Sequence, residues 1–225
     1  MVMKIAALCS GGKDSAFALW LAVDQGHKID KLVAMIPKRE DSWMFHRPNI
    51  HLIDLFAECA GLPLMKVETG GEREKELEDL EQALRKLDVE GVLSGAIASN
   101  YQKSRIDRIC DKLSLMHLAP LWGRDPAELL REMVGAGFEA VITSVAAEGF
   151  DEKWLGRKID EKCVKDLIKL REKFGINVCG EGGEYESLVL DAPFFEKRIE
   201  LVETQCMWKG TSGYLLVKRA EVVEK

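Results

Sequence analysis

The chain has 225 residues, 47% hydrophobic and 31% charged, which is enough apolar content to bury a sizeable core. Its formal net charge of −6 and a pI near 5.4 argue against a surface that grips nucleic acid by bulk phosphate neutralisation. No apolar run approaches the roughly 20 residues that span a bilayer, and the opening Val2–Cys9 stretch runs straight into Lys13 and Asp14, too soon for a signal-peptide core; the expectation is a cytoplasmic protein with neither nucleic acid nor membrane as partner.

Taken in chain order, Lys4 to Leu8 is a short apolar run that fits a buried strand, followed by a glycine turn and a helical stretch ending before Gly26. The pattern repeats with a strand near Lys31–Ile36 and a helix whose Leu52, Leu55, Phe56 and Cys59 fall at i, i+3, i+4 and i+7, ahead of Gly61 and Pro63. A third strand is read at Leu64–Val67. A charged helix with Leu77, Leu80, Leu84 and Leu87 on one face comes next, then a strand at Gly91–Ser94 and a helix marked by Ile106, Ile109, Cys110 and Leu113. Strand–helix alternation of this kind predicts a parallel sheet covered on both faces.

At Asp125-Pro126-Ala127-Glu128 a strong helix start appears, with an N-cap, a proline at the first position and an acid in the first turn. The pattern after it differs: a strand near Ala140–Val145, a charged helix over 160–174 ending at Gly175, and strand-like runs at Ser187–Leu190, Ile199–Val202 and Tyr214–Val217. The expected architecture is therefore α/β, a doubly wound parallel sheet over residues 1–124 with a smaller α+β domain over 125–225, and ligands are expected in the cleft between them. Six cysteines without a C-x-x-C pair read as reduced, mostly buried thiols. Four histidines without metal-ligand spacing make a zinc site a poor reading.

Ser10-Gly11-Gly12-Lys13-Asp14-Ser15 lies directly between the first strand and the first helix. Small residues let the backbone approach a polyphosphate, and the N–H groups at a helix start bind anions without side-chain charge; Lys13 and the two serines add donors. The spacing matches neither a Walker A loop nor a dinucleotide fingerprint, so this is a different phosphate cradle. In a doubly wound sheet the loop after the fourth strand faces the first one. That loop holds Gly95, Ala96 and Ile97, followed by Tyr101, Gln102 and Arg105 at the start of a helix, and supplies close approach and donors for phosphate or carboxylate. A plain glycine turn is the competing reading. Finally, Glu181, Gly182, Gly183, Glu184 and Glu186 crowd carboxylates and glycines into one short segment, which a bound cation would explain and an exposed acidic turn would also produce.

SGGKDS after a strand resembles the signature loop of the PP-loop ATP pyrophosphatases. Together with GAIASNYQ, PLWGRDPAELLREM and CGEGGEYESLVLDAPFF, it makes nearly the whole chain resemble the diphthine–ammonia ligase family. That resemblance implies a HUP-like sheet and ATP-dependent amidation of a diphthine carboxylate on elongation factor 2. Ammonium is the nitrogen source, an acyl-adenylate the intermediate, and AMP and pyrophosphate the products. It implies ATP at Ser10, Gly11, Gly12, Lys13, Asp14, Ser15, Gly95, Ala96 and Ile97, with adenine near Met35 and Mg²⁺ accompanying the phosphates on ligands the sequence does not name. His46, Tyr101, Gln102, Arg105 and the Glu181–Glu186 segment are expected to bind substrate, with Lys13, Asp14, Glu184 and Glu186 in the chemistry. Trp43, Phe45, Trp122 and Tyr185 are candidates for an aromatic cage around the quaternary ammonium of diphthine. A homodimer is an open expectation. The rival reading is a PP-loop enzyme that adenylates a tRNA base; a nucleotide sensor without turnover is the non-enzymatic one.

Overall fold

The computed structural model describes residues 2–37, 49–70 and 73–225. Strands β1 (Lys4–Leu8), β2 (Lys28–Pro37), β3 (Leu64–Thr69), β4 (Gly91–Leu93) and β5 (Met116–Leu118) form one parallel sheet in the order β3-β2-β1-β4-β5. The order reverses between β1 and β4, so a crevice opens where their carboxyl ends part. Helices α1 (Lys13–Asp24) and α2 (Ile53–Ala60) cover one face, and α3 (Arg73–Leu84) and α4 (Asn100–Leu113) the other. A parallel strand buried on both faces must be apolar throughout, which is why Ile5, Ala6 and Ala7 all lie in the core.

After β5 come α5 (Pro126–Gly135), β6 (Glu139–Val145), α6 (Glu161–Phe174), β7 (Tyr185–Asp191), β8 (Arg198–Lys209) and β9 (Ser212–Val223). The strands form a second, antiparallel sheet in the order β7-β6-β9-β8. Sequence caps set the helix starts: the Asp125 carboxylate accepts from Ala127 and Glu128 N–H at 2.9 and 3.0 Å, and Asp160 from Cys163 at 2.8 Å. Gly175 ends α6 at φ +74°.

The two sheets share a core, and the cleft between them is confined to the carboxyl ends of the parallel strands. Residues of α1 and α2 pack in one continuous apolar cluster with α5, β6, α6 and β7. Aromatic rings stitch the junction: Phe17 lies edge-on to Phe138 at 5.6 Å and Phe56 edge-on to Phe195 at 4.9 Å. Buried Asn49 adds a polar tie, donating to Leu215 O and accepting from Val217 N–H at 2.8 and 2.9 Å. No helix among the described residues is long and apolar enough to cross a membrane.

The fold corrects the sequence reading in two places. Strand β5 was not expected, and β8 and β9 run far beyond Ile199–Val202 and Tyr214–Val217, as one long ribbon. Among the thiols, Cys9, Cys59, Cys110, Cys163 and Cys179 are buried and Cys206 is exposed. Burial is the main force pushing Cys59 up to about 11 and Cys110, Cys163 and Cys179 up to about 12. Iodoacetamide at pH 8 is therefore expected to label Cys206 in the native protein and those four only after unfolding, as read by peptide mass spectrometry.

Candidate active site

The crevice at the switch point between β1 and β4 is a cavity of about 360 Å³, walled by the ends of β1, β2 and β4 and by residues 179–187 of the second half of the chain. Leu8, Val33 and Met35 give it one apolar wall, suited to a flat base; Ser10, Gly12, Lys13, Asp14 and Ser15 give it another.

The phosphate loop is pre-shaped. Gly11 sits at φ +75°, a conformation that residues with a Cβ rarely adopt. The Ser15 hydroxyl accepts from Ser10 N–H at 3.3 Å and donates to Gly12 O at 3.0 Å, while Ser10 Oγ accepts from Gly12 N–H at 3.4 Å. Helices α4, α5 and α6 all begin under a capping side chain, from Ser99, Asp125 and Asp160; α1 begins on Gly12 with none. A helix start whose own N-cap residue brings no side chain, and which lines a cavity, leaves first-turn amides for an anion, Lys13 N–H excepted, which Ser187 Oγ takes. The loop is clamped from behind by β7, the edge strand of the second sheet: Val189 N–H donates to Gly11 O at 3.0 Å and Lys13 N–H to Ser187 Oγ at 3.2 Å.

Lys13 is the most buried charge here, 2% exposed. Its ammonium donates to both Asp14 oxygens at 2.9 Å and to Cys179 O at 2.5 Å, and lies 5.0 Å from the centre of the Tyr185 ring. Burial by itself would lower its pKa, but Asp14 first, then Cys179 and Glu186, outweigh that and hold it above its ordinary value. The group stays charged, and it bridges the phosphate loop to the second half of the chain.

Gly95 is explained by contact. A Cβ on it would lie 2.7 Å from both Asp14 C and Ser15 N, so the loop after β4 rests directly on the phosphate loop. Beyond it, Ile97 and Ala98 N–H donate to the two carboxylate oxygens of Glu181 at 2.7 and 2.6 Å.

The acidic segment turns at Gly180 and Gly183, at φ +74° and +87°. Tyr185 is buried, its hydroxyl donating to Val178 O at 2.8 Å, and burial raises its pKa far above the ordinary phenol. Glu184 accepts from Asn177 N–H at 2.7 Å through Oε1, while its buried Oε2 has no hydrogen-bond partner among the described residues. Glu186 lines the cavity. The crowded carboxylates are thus largely accommodated by backbone amides, which the charge pattern alone did not reveal.

Of the residues singled out from sequence, Ser10, Gly12, Lys13, Asp14, Ser15, Met35, Gly95, Ala96, Gln102, Glu181, Gly182, Gly183 and Glu186 line this one cavity. Gly11, Ile97 and Glu184 stand directly behind it through the contacts above. Tyr101 and Arg105 stand apart from the lining, with the guanidinium stacked 3.5 Å from the Tyr101 ring centre. Of the cage candidates, Tyr185 lines the cavity and Trp122 packs under Lys103 instead; Trp43, Phe45 and His46 fall outside the described residues. Sequence reasoning quoted Ser94, Cys179 and Ser187 within its motifs but gave them no part in the site, and it did not single out as site residues Leu8, Cys9, Val33, Ile50 and Ile106, which also line the cavity. For the first three, their place in a recognised motif was the available signal. Among the described residues no three His, Cys, Asp or Glu side chains are grouped to hold a metal ion.

Comparison with known proteins gives the same outline. Residues 3–117 match the model of the diphthamide synthase N-terminal domain, and 125–223 that of the C-terminal domain. Diphthine–ammonia ligase of Mus musculus is 38% identical, over 99% of this chain and 94% of its own length; the Bos taurus protein is 41% identical, over 99% and 91%. A crystal structure titled as a predicted subunit of a tRNA methyltransferase from Methanocaldococcus jannaschii overlaps 85% of this chain and 98% of its own, with 14% identity and a TM-score of 0.47, too distant to bear on function. With both domain models matched in order over nearly its full length, the chain belongs to the diphthamide synthase family.

Proposed function

We infer that the protein is a diphthine–ammonia ligase: it uses ATP and ammonium to convert the diphthine carboxylate of elongation factor 2 to the amide, releasing AMP and pyrophosphate. One observation carries the reading beyond the family relationship. The uncapped start of α1 and the loop after β4 converge on one cavity, touching at Gly95, so an anion bound by each would meet the other.

A carboxylate is a poor electrophile. In this reading one of its oxygens attacks the α-phosphorus of ATP, the bond to the β-phosphate breaks, and pyrophosphate leaves with the electron pair. Ammonium gives up one proton, the ammonia so formed makes the C–N bond at the acyl carbon, AMP departs with the electron pair of the C–O bond, and the nitrogen loses a second proton to leave the amide. Charge growing on the leaving pyrophosphate is met by the α1 backbone amides and by the fixed charge of Lys13, an electrostatic contribution that needs no reorganisation. Lys13 is occupied by Asp14 and Cys179 O; it therefore acts as a buried charge under the loop rather than as a mobile arm. Mg²⁺ fits as an ion carried on the phosphates, a mode that needs only one or two protein carboxylates; Asp14 would supply one, and the ion would add charge neutralisation. Residues 1–124 then serve as the nucleotide half and 125–225 as the substrate half, with Glu181, Glu184 and Glu186 on the substrate side. All these residues lie on one chain, so the reading holds for a monomer and a homodimer alike.

The test is AMP release from α-labelled ATP with Mg²⁺ and ammonium, with diphthine-bearing elongation factor 2 or bulk tRNA as acceptor. AMP formed only with the factor is the expected result. AMP formed with tRNA alone would move the activity to RNA modification, and ADP as product would remove α,β-cleavage altogether.

A further inference from the structure

Two adjacent backbone amides just behind the cavity wall already hold a carboxylate, that of Glu181, which itself lines the cavity. Glu181 Oε1 accepts from Ile97 N–H at 2.7 Å and Oε2 from Ala98 N–H at 2.6 Å, both at the short end for charge-assisted bonds. One carboxylate satisfying two consecutive amides is the geometry by which a backbone nest receives an anion. The contact is not needed to hold the halves of the chain together: Lys13 to Cys179 O, Val189 N–H to Gly11 O and a shared apolar core already do that. Glu181 also sits in a turn with Gly180 and Gly183 at positive φ and with Gly182 between them, so its glycine neighbours bring no side chains to hold its carboxylate in place. The position is chemically pointed. Gly95, two residues before Ile97, presses on the phosphate loop so closely that a Cβ would lie 2.7 Å from Asp14 C. An anion on this seat therefore stands beside bound phosphates.

We propose that the Ile97–Ala98 amide pair is the seat of the substrate carboxylate, and that Glu181 is an internal occupant displaced when the substrate enters. The inference rests on the amidation reading for the identity of its ligand, and it adds the place where the carboxylate docks and the group that guards it. Glu181 competes with any entering anion and so raises the concentration at which a simple carboxylate fills the seat; a carboxylate with further binding energy elsewhere in the cavity displaces it at lower concentration.

The test uses the full chain, ¹⁵N-labelled, with sodium acetate as the probe and sodium chloride at equal ionic strength as the control. Acetate is expected to shift the Ile97 and Ala98 amide resonances, and chloride to leave them in place. In Glu181→Gln the side chain offers one acceptor and sets an NH₂ against the second amide, so the seat opens; if Glu181 holds it closed nine-tenths of the time, half-saturation falls about ten-fold. Glu181→Asp, too short to span both amides, is expected to move the same way. The proposal is overturned if the two amides ignore acetate in the wild type, or if wild type and the variants saturate at the same concentration. Should neither variant fold, the wild-type response alone decides. AMP release with the diphthine-bearing factor is scored separately: its absence sinks the amidation reading, while the acetate shifts still report on the seat.

Discussion

Replacing Lys13 by alanine is expected to abolish AMP release and also to weaken the fold. The ammonium is 2% exposed and makes three hydrogen bonds, two to Asp14 and one to Cys179 O. Removing it leaves a hole beneath the loop and an unpaired Cys179 carbonyl, while Asp14, 34% exposed on the cavity side, is left without its partner; the lost hydrogen bonds cost about 1–3 kcal/mol. On the catalytic side, loss of a fixed charge from a water-poor phosphate site is expected to lower kcat by at least about 10³-fold. Urea denaturation separates the two effects. Stability falls in K13A because Asp14 is left unpaired, and in the double variant Lys13→Ala with Asp14→Asn a good part of it returns, whereas turnover stays lost. Full stability in K13A would mean that the ammonium is not the strut described here. Arginine is not a conservative choice: a planar fork cannot aim at Asp14 and Cys179 O together in the space of one ammonium. The pH dependence has a definite sign. The folded pKa of Lys13 is raised, so its contribution to stability is complete below 10.5, its unfolded value, and fades as pH climbs through the higher folded value.

The elements read correctly from sequence were legible because their signals are local. A buried parallel strand such as Ile5–Ala7 is apolar without interruption, and Asp125-Pro126 and Asp160 are helix starts that need no tertiary knowledge. The failures have physical causes. β5 is three residues long, Met116-His117-Leu118, with one neighbour in the sheet, too short to carry a period. Strands β8 and β9 extend past the core as a two-stranded ribbon, so residues such as Glu203, Thr204 and Gln205 are exposed in sequence and paired in space; cross-strand pairing, not hydrophobic alternation, defines them.

The candidate site divides the same way. The conformation of the Ser10–Ser15 loop could be read from six consecutive residues, because glycines and small side chains announce such a turn. The contacts that make it a site could not. Lys13 meets Cys179 O across 166 positions and Glu181 meets Ala98 across 83, and nothing in either segment names its partner. The acidic cluster shows the difference most clearly. Composition suggested mutual repulsion relieved by a cation; in the fold Glu181 and Glu184 are received by the amides of Ile97, Ala98 and Asn177. The buried Oε2 of Glu184, without a hydrogen-bond partner among the described residues, is the one atom of the cluster that the backbone amides do not receive in this way.

Gly95→Ala is the substitution expected to damage activity most while leaving the fold. Its Cβ would stand 2.7 Å from Asp14 C and Ser15 N and 2.9 Å from Asp14 O, all backbone atoms of the first turn of α1. A flexible side chain could give way; a helix start held by Ser187 and Val189 from behind cannot. The loop after β4 must instead lift away from the phosphate loop, carrying the Ile97 and Ala98 amides with it. Overpacking of this kind costs about 1–3 kcal/mol, which a core shared by both sheets tolerates. The catalytic cost is larger, since a displacement of about 1 Å between reacting groups lowers rates by about 10²-fold. AMP release in G95A is therefore expected to fall about 10²-fold with the circular dichroism spectrum unchanged, and ATP binding by calorimetry to weaken far less than kcat, because the α1 amides and the Leu8–Val33–Met35 wall remain in place. Gly183→Ala is the contrast. A Cβ there meets nothing within 4 Å, yet φ is +87°, so the penalty is backbone strain in the acidic turn rather than a clash at the phosphates. If both glycine variants lost kcat equally, the contact between the two loops would not be what aligns the reaction.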